Sequence, residues 1–482
     1  MSITSALNSA MTGLTANARL SQVTSENLAN ALTPGYFSQK LNLSSSQYAA
    51  GVRIGDVERN IDPALQSTTR KAEAEYAKVE VYANFYSRMS NFVGTVDDST
   101  SISAQISNFD SALVEAISRP DSTERLHDLS VKAGLVVQSI TDAAEGLNQQ
   151  REAAESSIDL QVDQLNSQLK ELEKLNARII VSQATGANTT AMEDQRDLLV
   201  DAVNQAIPVN VVQRDQGRIA LYTVGGVALL DGKAAELSFD VNRTIEPQMT
   251  QANGLLSGLE INGLAMDTSS TGPLRGGTLI AAFDIRDNVT VEAQNDLDAM
   301  ARDLVERFQD PALDATIGAT DAGIFTDGGG AFDPSDTVGL SARLELNDLV
   351  AMDGQAETWR FRDGLYAAAP GDPGDGSQLI AYADAISENR TVSTIKLGTI
   401  SSDLTTLSAS VMSRFARDSD STNNTLSFTA TSYTEMAQAE LALGVDSDGE
   451  LQNLMVIENA YAANAKMLAA VDEMLQTLLG IT

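Results

Sequence analysis

ITSALNSAMTGLTANARLSQVTSENLANA, residues 3–31, is the stretch that decides the fold. Its apolar and small residues fall at Ile3, Leu7, Ala10, Leu14, Asn17, Ser21, Thr24, Leu28 and Ala31, in alternating steps of four and three. That period lays them along one side of an α-helix as a seam for a second helix. The stretch LMVIENAYAANAKMLAAVDEMLQTL, residues 454–478, repeats the rhythm at Leu454, Ile457, Tyr461, Asn464, Leu468, Val471, Leu475 and Leu478. Each seam carries one Asn, Asn17 and Asn464, and a buried Asn in such a seam costs stability while fixing register. The two segments are expected to pair, with the middle of the chain looped out between them. Helix 5–32 holds only two charged side chains, Arg19 and Glu26. Small uncharged faces suit several close neighbours, so this helix is expected to meet other subunits as well as its own partner.

Between the seams the chain reads mainly as helix. Thr33-Pro34-Gly35-Tyr36 stops the first helix, because Pro34 disfavours helix at Thr33 and Gly35 permits a left-handed turn. Val52, Ile54 and Val57 alternate like a short strand pair around Gly51 and Gly55. Asp62-Pro63 is an N-cap followed by Pro at the first helical position and starts a helix to about residue 92. A further helix covers about 102–118. From residue 121, where Asp121 and Glu124 have capping-box spacing, one stripe of Leu147, Ile158, Val162, Leu165, Leu169, Leu172 and Ile179 predicts a single helix to about 186, interrupted if anywhere near Gly146. At ~1.5 Å per residue it would reach roughly 80–90 Å, the length of a rod-shaped body. A helix over 191–205 precedes short strands at 209–212, 219–224 and 227–230. Gly276-Gly277 opens a helix over 278–308. Residues 310–393, rich in Gly, Asp and Pro, predict irregular β structure, with strand-like runs at 342–346 and 358–361, and helix resumes over 395–414.

The fold class is therefore mainly α with β-rich inserts: a discontinuous, elongated protein with its first and last helices paired in coiled-coil fashion and a long-helix bundle body with α+β elaboration. Three divisions are expected. Residues 1–60 and 435–482 form a terminal-helix assembly domain. Residues 61–308 and 394–434 form the long-helix body, with strands near 207–240. Residues 309–393 form an irregular β region that reads as a reduced outer domain.

Composition narrows the function. The 482 residues contain 32 Lys and Arg against 66 Asp and Glu, a net charge of −34. No basic stripe is present to displace counterions from phosphates, so neither nucleic acid nor an anionic membrane surface is expected as a partner. Cysteine is absent, which removes disulfides, thiolate nucleophiles and Cys-bound metals. No run of eighteen apolar residues exists to span a bilayer. The N-terminal segment lacks the basic and apolar regions of a secretory signal, which leaves the cytoplasm or export by a route that reads no cleaved signal. His127 is the only histidine, too little for a His-ligated zinc site and a lone support for any Ser–His–Asp triad. No nucleophile elbow, phosphate loop or dinucleotide fingerprint occurs. Asp372–Asp375 and Asp446–Glu450 are the best calcium candidates, yet neither completes a calcium loop, and a turn and a helix cap explain them better. No catalytic, cofactor-binding or metal site is expected.

The ends carry a resemblance. Ala6-Leu7 through Gly13-Leu14, Ser25-Glu26-Asn27-Leu28-Ala29-Asn30 and Thr33-Pro34-Gly35-Tyr36 resemble the N-terminal signature of flagellar axial proteins. Asn459-Ala460-Tyr461-Ala462-Ala463-Asn464-Ala465-Lys466, Val471-Asp472-Glu473-Met474-Leu475 and Leu478-Leu479 resemble their C-terminal signature. Rod, hook and junction proteins share both. The long helix, with Gln195-Arg196-Asp197-Leu198-Leu199 after it and Gly276-Gly277-Thr278-Leu279 later, is similar to the hook–filament junction branch. Phe37-Ser38-Gln39-Lys40 departs from the Ser-Arg-Gln that often follows the Tyr. The resemblance implies a non-enzymatic, extracellular part of the bacterial flagellum, exported through the flagellar type III apparatus. Its implied partners are further copies of itself in a ring or helical assembly, the hook protein, the next junction protein, and an export chaperone at the C-terminal helix. The alternatives are a hook or distal-rod protein, which would lack the long helix, and a secreted acidic hydrolase using carboxylates within 310–393.

Overall fold

The computed structural model describes residues 3–45, 51–94 and 98–481. Several of its long helices begin at a capping side chain. Helix α1 (Ile3–Asn30) ends at the turn built on Gly35, whose φ is +75°. α2 (Pro63–Val93) starts as Asp62 and Pro63 predict, the Asp62 carboxylate accepting from the Ala64 and Leu65 amides at 2.9 and 3.2 Å. Ser101 caps α3 (Ile102–Ser118) by accepting from the Ala104 amide. α4 (Thr123–Ala184) is capped by Ser122 rather than Asp121, because the helix starts one residue later than the Asp121–Glu124 spacing requires. Its 62 residues run without a break, a length of about 93 Å. Gly146 does not interrupt it. The missing Cβ makes room for Phe92, whose ring would lie 2.4 Å from that atom.

α5 (Thr190–Ala206) follows. The helix predicted over 278–308 is two helices, α6 (Gly277–Asp284) and α7 (Thr290–Phe308), joined by a π-turn at Ile285–Val289. The turn brings Arg286 to complete burial, where it pairs with Glu155 at 2.6 Å and Asp287 at 2.7 Å and lies over the Phe283 ring. Periodicity does not register one buried cation, so the π-turn was not legible. The short helices α8 (Leu340–Arg343) and α9 (Arg360–Asp363) and the longer α10 (Ser377–Ser387) occupy the Gly- and Asp-rich region. α11 (Leu404–Leu441) and α12 (Ser447–Ile481) complete the helices.

The sheets are small. β1 (Gln39–Ser45) pairs antiparallel with β2 (Val52–Arg59). β2 follows the predicted alternation. β1 carries no such alternation, because most of its side chains face solvent and its pairing is carried by backbone. β3 (Val209–Gln213), β4 (Ile219–Thr223), β5 (Ala228–Asp231) and β6 (Lys233–Ala234) form a meander close to the predicted strands. β7 (Leu237–Ser238), β8 (Glu260–Ile261) and β9 (Leu264–Ala265) make a second one. Within 310–393 the irregular β expectation meets one strand pair, β10 (Phe325–Asp327) with β11 (Leu344–Leu346). The strand-like run 358–361 is instead the start of α9. Asp310, Asp314, Asp333, Asp372 and Asp375 each accept the amide two residues on, so the acidic richness is turn chemistry. The helix expected from 395 is a hairpin, β12 (Arg390–Thr394) with β13 (Gly398–Ser402), turning at Gly398 with φ +70°. Asp403 then accepts from the Thr406 amide and α11 begins.

The chain gathers into two units. One comprises Met1–Tyr76, Gln164–Glu236 and Thr429–Thr482. In it the β3–β6 sheet is pinned to α4: Asn176 donates to the Ile219 carbonyl at 3.0 Å and Glu173 accepts from the Ala234 amide at 2.9 Å. The other comprises Ala77–Asp163 and Leu237–Phe428 and holds an apolar core around Phe109, Phe308, Phe325 and Tyr382.

Candidate assembly interface

In the first unit α1 and α12 lie side by side. They run antiparallel, since Gly13 lies against Asn464 while Asn27 reaches Glu450. A Cβ on Gly13 would stand 2.8 Å from the Asn464 amide nitrogen, so the absent side chain is what lets the helices close. The other side of α1 meets the β1–β2 hairpin, where Thr12 Oγ1 accepts from the Val52 amide. Ala10, Ala16, Asn17, Val23, Thr24 and Asn27 are the buried residues of α1. These small side chains suit a helix covered on two sides.

Of the predicted seam residues on α1, Asn17 is buried, Ile3, Leu7 and Leu14 are half-buried, and Leu28 is exposed. On α12, Ile457 and Val471 are buried, Leu454, Asn464 and Leu468 are half-buried, and Tyr461 and Leu475 are exposed. The side chain of Leu478 lies outside the described residues. The Asn17 Nδ2 finds no hydrogen-bond partner among the described residues.

Asn27, within the Ser25–Asn30 motif, has no role that its position in the sequence reveals. It is 1% exposed and accepts from the Tyr36 hydroxyl at 2.8 Å and the Gln39 amide at 2.9 Å. Its Nδ2 donates to the Gln39 carbonyl at 2.9 Å and to Glu450 Oε1 at 2.6 Å. Burial, then the nearby Asp194, Glu26 and Glu450 carboxylates, pushes the Tyr36 phenol up to about 12, which keeps it a donor. Glu450 stands in the first turn of α12, where a carboxylate is favoured. Asp446 caps that helix, its Oδ1 accepting from the Gly449 amide. The carbonyl of Leu443, just before it, accepts from Ser38 Oγ and Asn60 Nδ2, both at 3.1 Å.

Two of the quoted motifs also meet. Leu198 packs beneath Gly35, its Cδ2 2.6 Å from where a Cβ would be. Beside it Arg59 is held by Glu193, Asp194 and Asp197 at 3.1, 2.9 and 2.7 Å, and Arg196 donates to the Gly217 carbonyl. The turn after α1 and the end of β2 are thus fastened to α5.

Chemistry of other kinds has little to work with. Among the described residues no group of three or more His, Asp or Glu could hold a metal ion, and no helix is long and apolar enough to cross a membrane. His127 is half-buried with Nδ1 3.5 Å from Thr358 Oγ1. Asp314, fully buried inside the region proposed for a hydrolase, accepts from the Thr316 and Leu365 amides and the Tyr382 hydroxyl. A carboxylate so engaged holds local structure.

An uninterrupted α4 and first and last helices joined as one element define a mainly helical protein whose two ends form a single surface. Residues 86–312 match the model of the flagellar hook-associated protein FlgK helical domain, and residues 437–481 match the flagellar basal body rod FlgEFG protein C-terminal model. The chain belongs to the FlgK family, flagellar hook-associated protein 1, structural components at the hook–filament junction. It is 22% identical over 512 residues to flagellar hook-associated protein 1 of Bacillus subtilis, covering 98% of this chain and 97% of that protein. With the Escherichia coli protein of that name it is 24% identical over 283 residues, covering 56% of this chain and 51% of the relative. It therefore aligns with about half the length of that relative and nearly all of the Bacillus one. The flagellar hook junction protein FlgK of Burkholderia pseudomallei superposes with a TM-score of 0.46 at 19% identity, over 54% of this chain and 47% of that one.

Proposed function

We propose that this protein builds the hook–filament junction by self-assembly, with the α1–α12 pair as its polymerising element. The observation that carries this is the outer side of α12. Val456, Ala460, Ala463, Met467, Ala470 and Met474 repeat the four-three rhythm in a second row. Val456, Met467 and Met474 are 67, 48 and 55% exposed. No charged residue interrupts that row; Glu458, Lys466 and Glu473 lie off it. Such a stripe is what a helix offers to another helix. The occupant is a neighbouring copy in the assembly, and the same stripe is where an export chaperone would hold the chain beforehand. The hook protein and the next junction protein are the remaining partners in this reading, and the extracellular flagellum is the location.

The test compares two α12 variants in bacteria lacking their own junction protein. Met467→Asp with Met474→Asp lies on the outer row, so the free chain should keep its stability within about 0.5 kcal/mol, as surface changes do, yet fail to join hook to filament. Leu468→Asp, on the α1 side, should lower both. Filaments attached normally in the double variant would end the proposal.

A further inference from the structure

The buried positions of the α1–α12 seam say little about register. Ala10, Asn17 and Thr24 repeat every seven residues, as do Ile457, Asn464 and Val471. Sliding one helix by seven residues, about 10 Å, brings the small side chains of α1 against the same kind of α12 row again. A seam of this kind needs a second device to choose one alignment, and buried polar groups are the best-attested one.

Asn27 has the properties of that device. A carboxamide offers two donor hydrogens and two acceptor lone pairs, and Asn27 spends all four, on Gln39 twice, on Tyr36 and on Glu450. Three of these bonds stay within the first forty residues and hold the amide in place whatever α12 does. The fourth crosses to a carboxylate 423 positions away in sequence. In a slipped alignment that Nδ2 hydrogen stays buried with its acceptor gone, and Gly13 meets a side chain other than Asn464. We infer that Asn27 and Glu450 are positioning residues that lock the register of the α1–α12 pair, and so set where along the subunit the outer row of α12 is offered to a neighbour. The lock stands on the monomer's geometry; its consequence for assembly rests on the function proposed above.

The absence of cysteine makes a direct test available. In the full chain, Gly13→Cys with Asn464→Cys reports the native register by disulfide formation, and Gly13→Cys with Val471→Cys reports a slip of seven. The parent should cross-link within one chain through the first pair alone. Glu450→Ala should speed the slipped-pair cross-link about tenfold, the population change expected from losing one hydrogen bond, while the native pair, still the majority, reacts nearly as before. Glu450→Gln keeps an acceptor oxygen and should restore the parent pattern, which a general loss of helix packing would not. A slipped-pair cross-link no faster in Glu450→Ala than in the parent would overturn the lock. Register loosened in Glu450→Ala while that variant still builds normal junctions would leave the lock standing and sink its role in assembly.

Discussion

Gly35 sits at φ +75° with Leu198 packed where a Cβ would be. The positive φ alone selects glycine, since Leu198 is exposed enough to turn aside. Gly35→Ala should cost about 1–2 kcal/mol, the left-handed penalty. Faster amide exchange throughout α5 and β2 in this variant is the expected signal. Arg59 is the second such point, a cation 6% exposed facing three carboxylates. Arg59→Met would remove the cation they share, leaving Asp197 with Arg70 at 3.5 Å and Glu193 with the Thr189 hydroxyl, and should destabilise the first unit by about 3 kcal/mol, measured as a fall in its denaturant midpoint. The sequence showed the first of these residues as a turn, because Pro-Gly is local chemistry. It could not show Leu198 beneath it, nor Asn27 bonded to Glu450, since those partners lie 163 and 423 positions away. Nor could it rank the seam. Asn17 and Asn464 looked alike, yet one is buried and the other half-buried over a glycine.

Elements were legible in proportion to their length and periodicity. The helices that became α1, α2, α4 and α12 carry a stripe long enough to read. The hairpin β12–β13 does not, because five-residue strands of Thr, Ser and Val are as compatible with a helix start as with pairing until Gly398 and the Asp403 cap are placed. Where α2, α5 and α11 converge, a different property emerges. Arg70 bonds Asp201 at 2.6 Å and lies 3.5 Å from Asp197, while Gln205 donates to Glu73 at 2.6 Å. Burial, helped by neighbouring carboxylates and only partly opposed by Arg70, holds Glu73, Asp201 and Glu440 above the ordinary carboxylate range. A folded state that binds these protons more tightly than the unfolded chain is stabilised on the acid side, and that stability is lost as pH rises through the raised values. Asp231 in the same unit, held below the ordinary range by the Tyr222 and Arg214 hydrogen bonds, acts in the opposite sense only in stronger acid. The first unit should therefore resist denaturant better near pH ~5 than near pH ~7.5. Greater stability at the higher pH would contradict this balance.

At the scale of the whole molecule, two units with separate cores share one chain, and α2, α4 and α11 each contribute a stretch to both. The net charge of −34 favours solubility of the free chain, while the uncharged row on α12 is held back from it. That contrast is the central claim: the free protein carries on its last helix an apolar surface that only the assembly covers. Oxidative footprinting of Met467 and Met474 tests it most directly, in the free chain and in isolated hook–filament junctions. Both thioethers are exposed in the free chain, and exposure governs their conversion to sulfoxide. The account predicts rapid oxidation of both in the free chain and strong protection of both in the junction. Equal oxidation in the two states would contradict it.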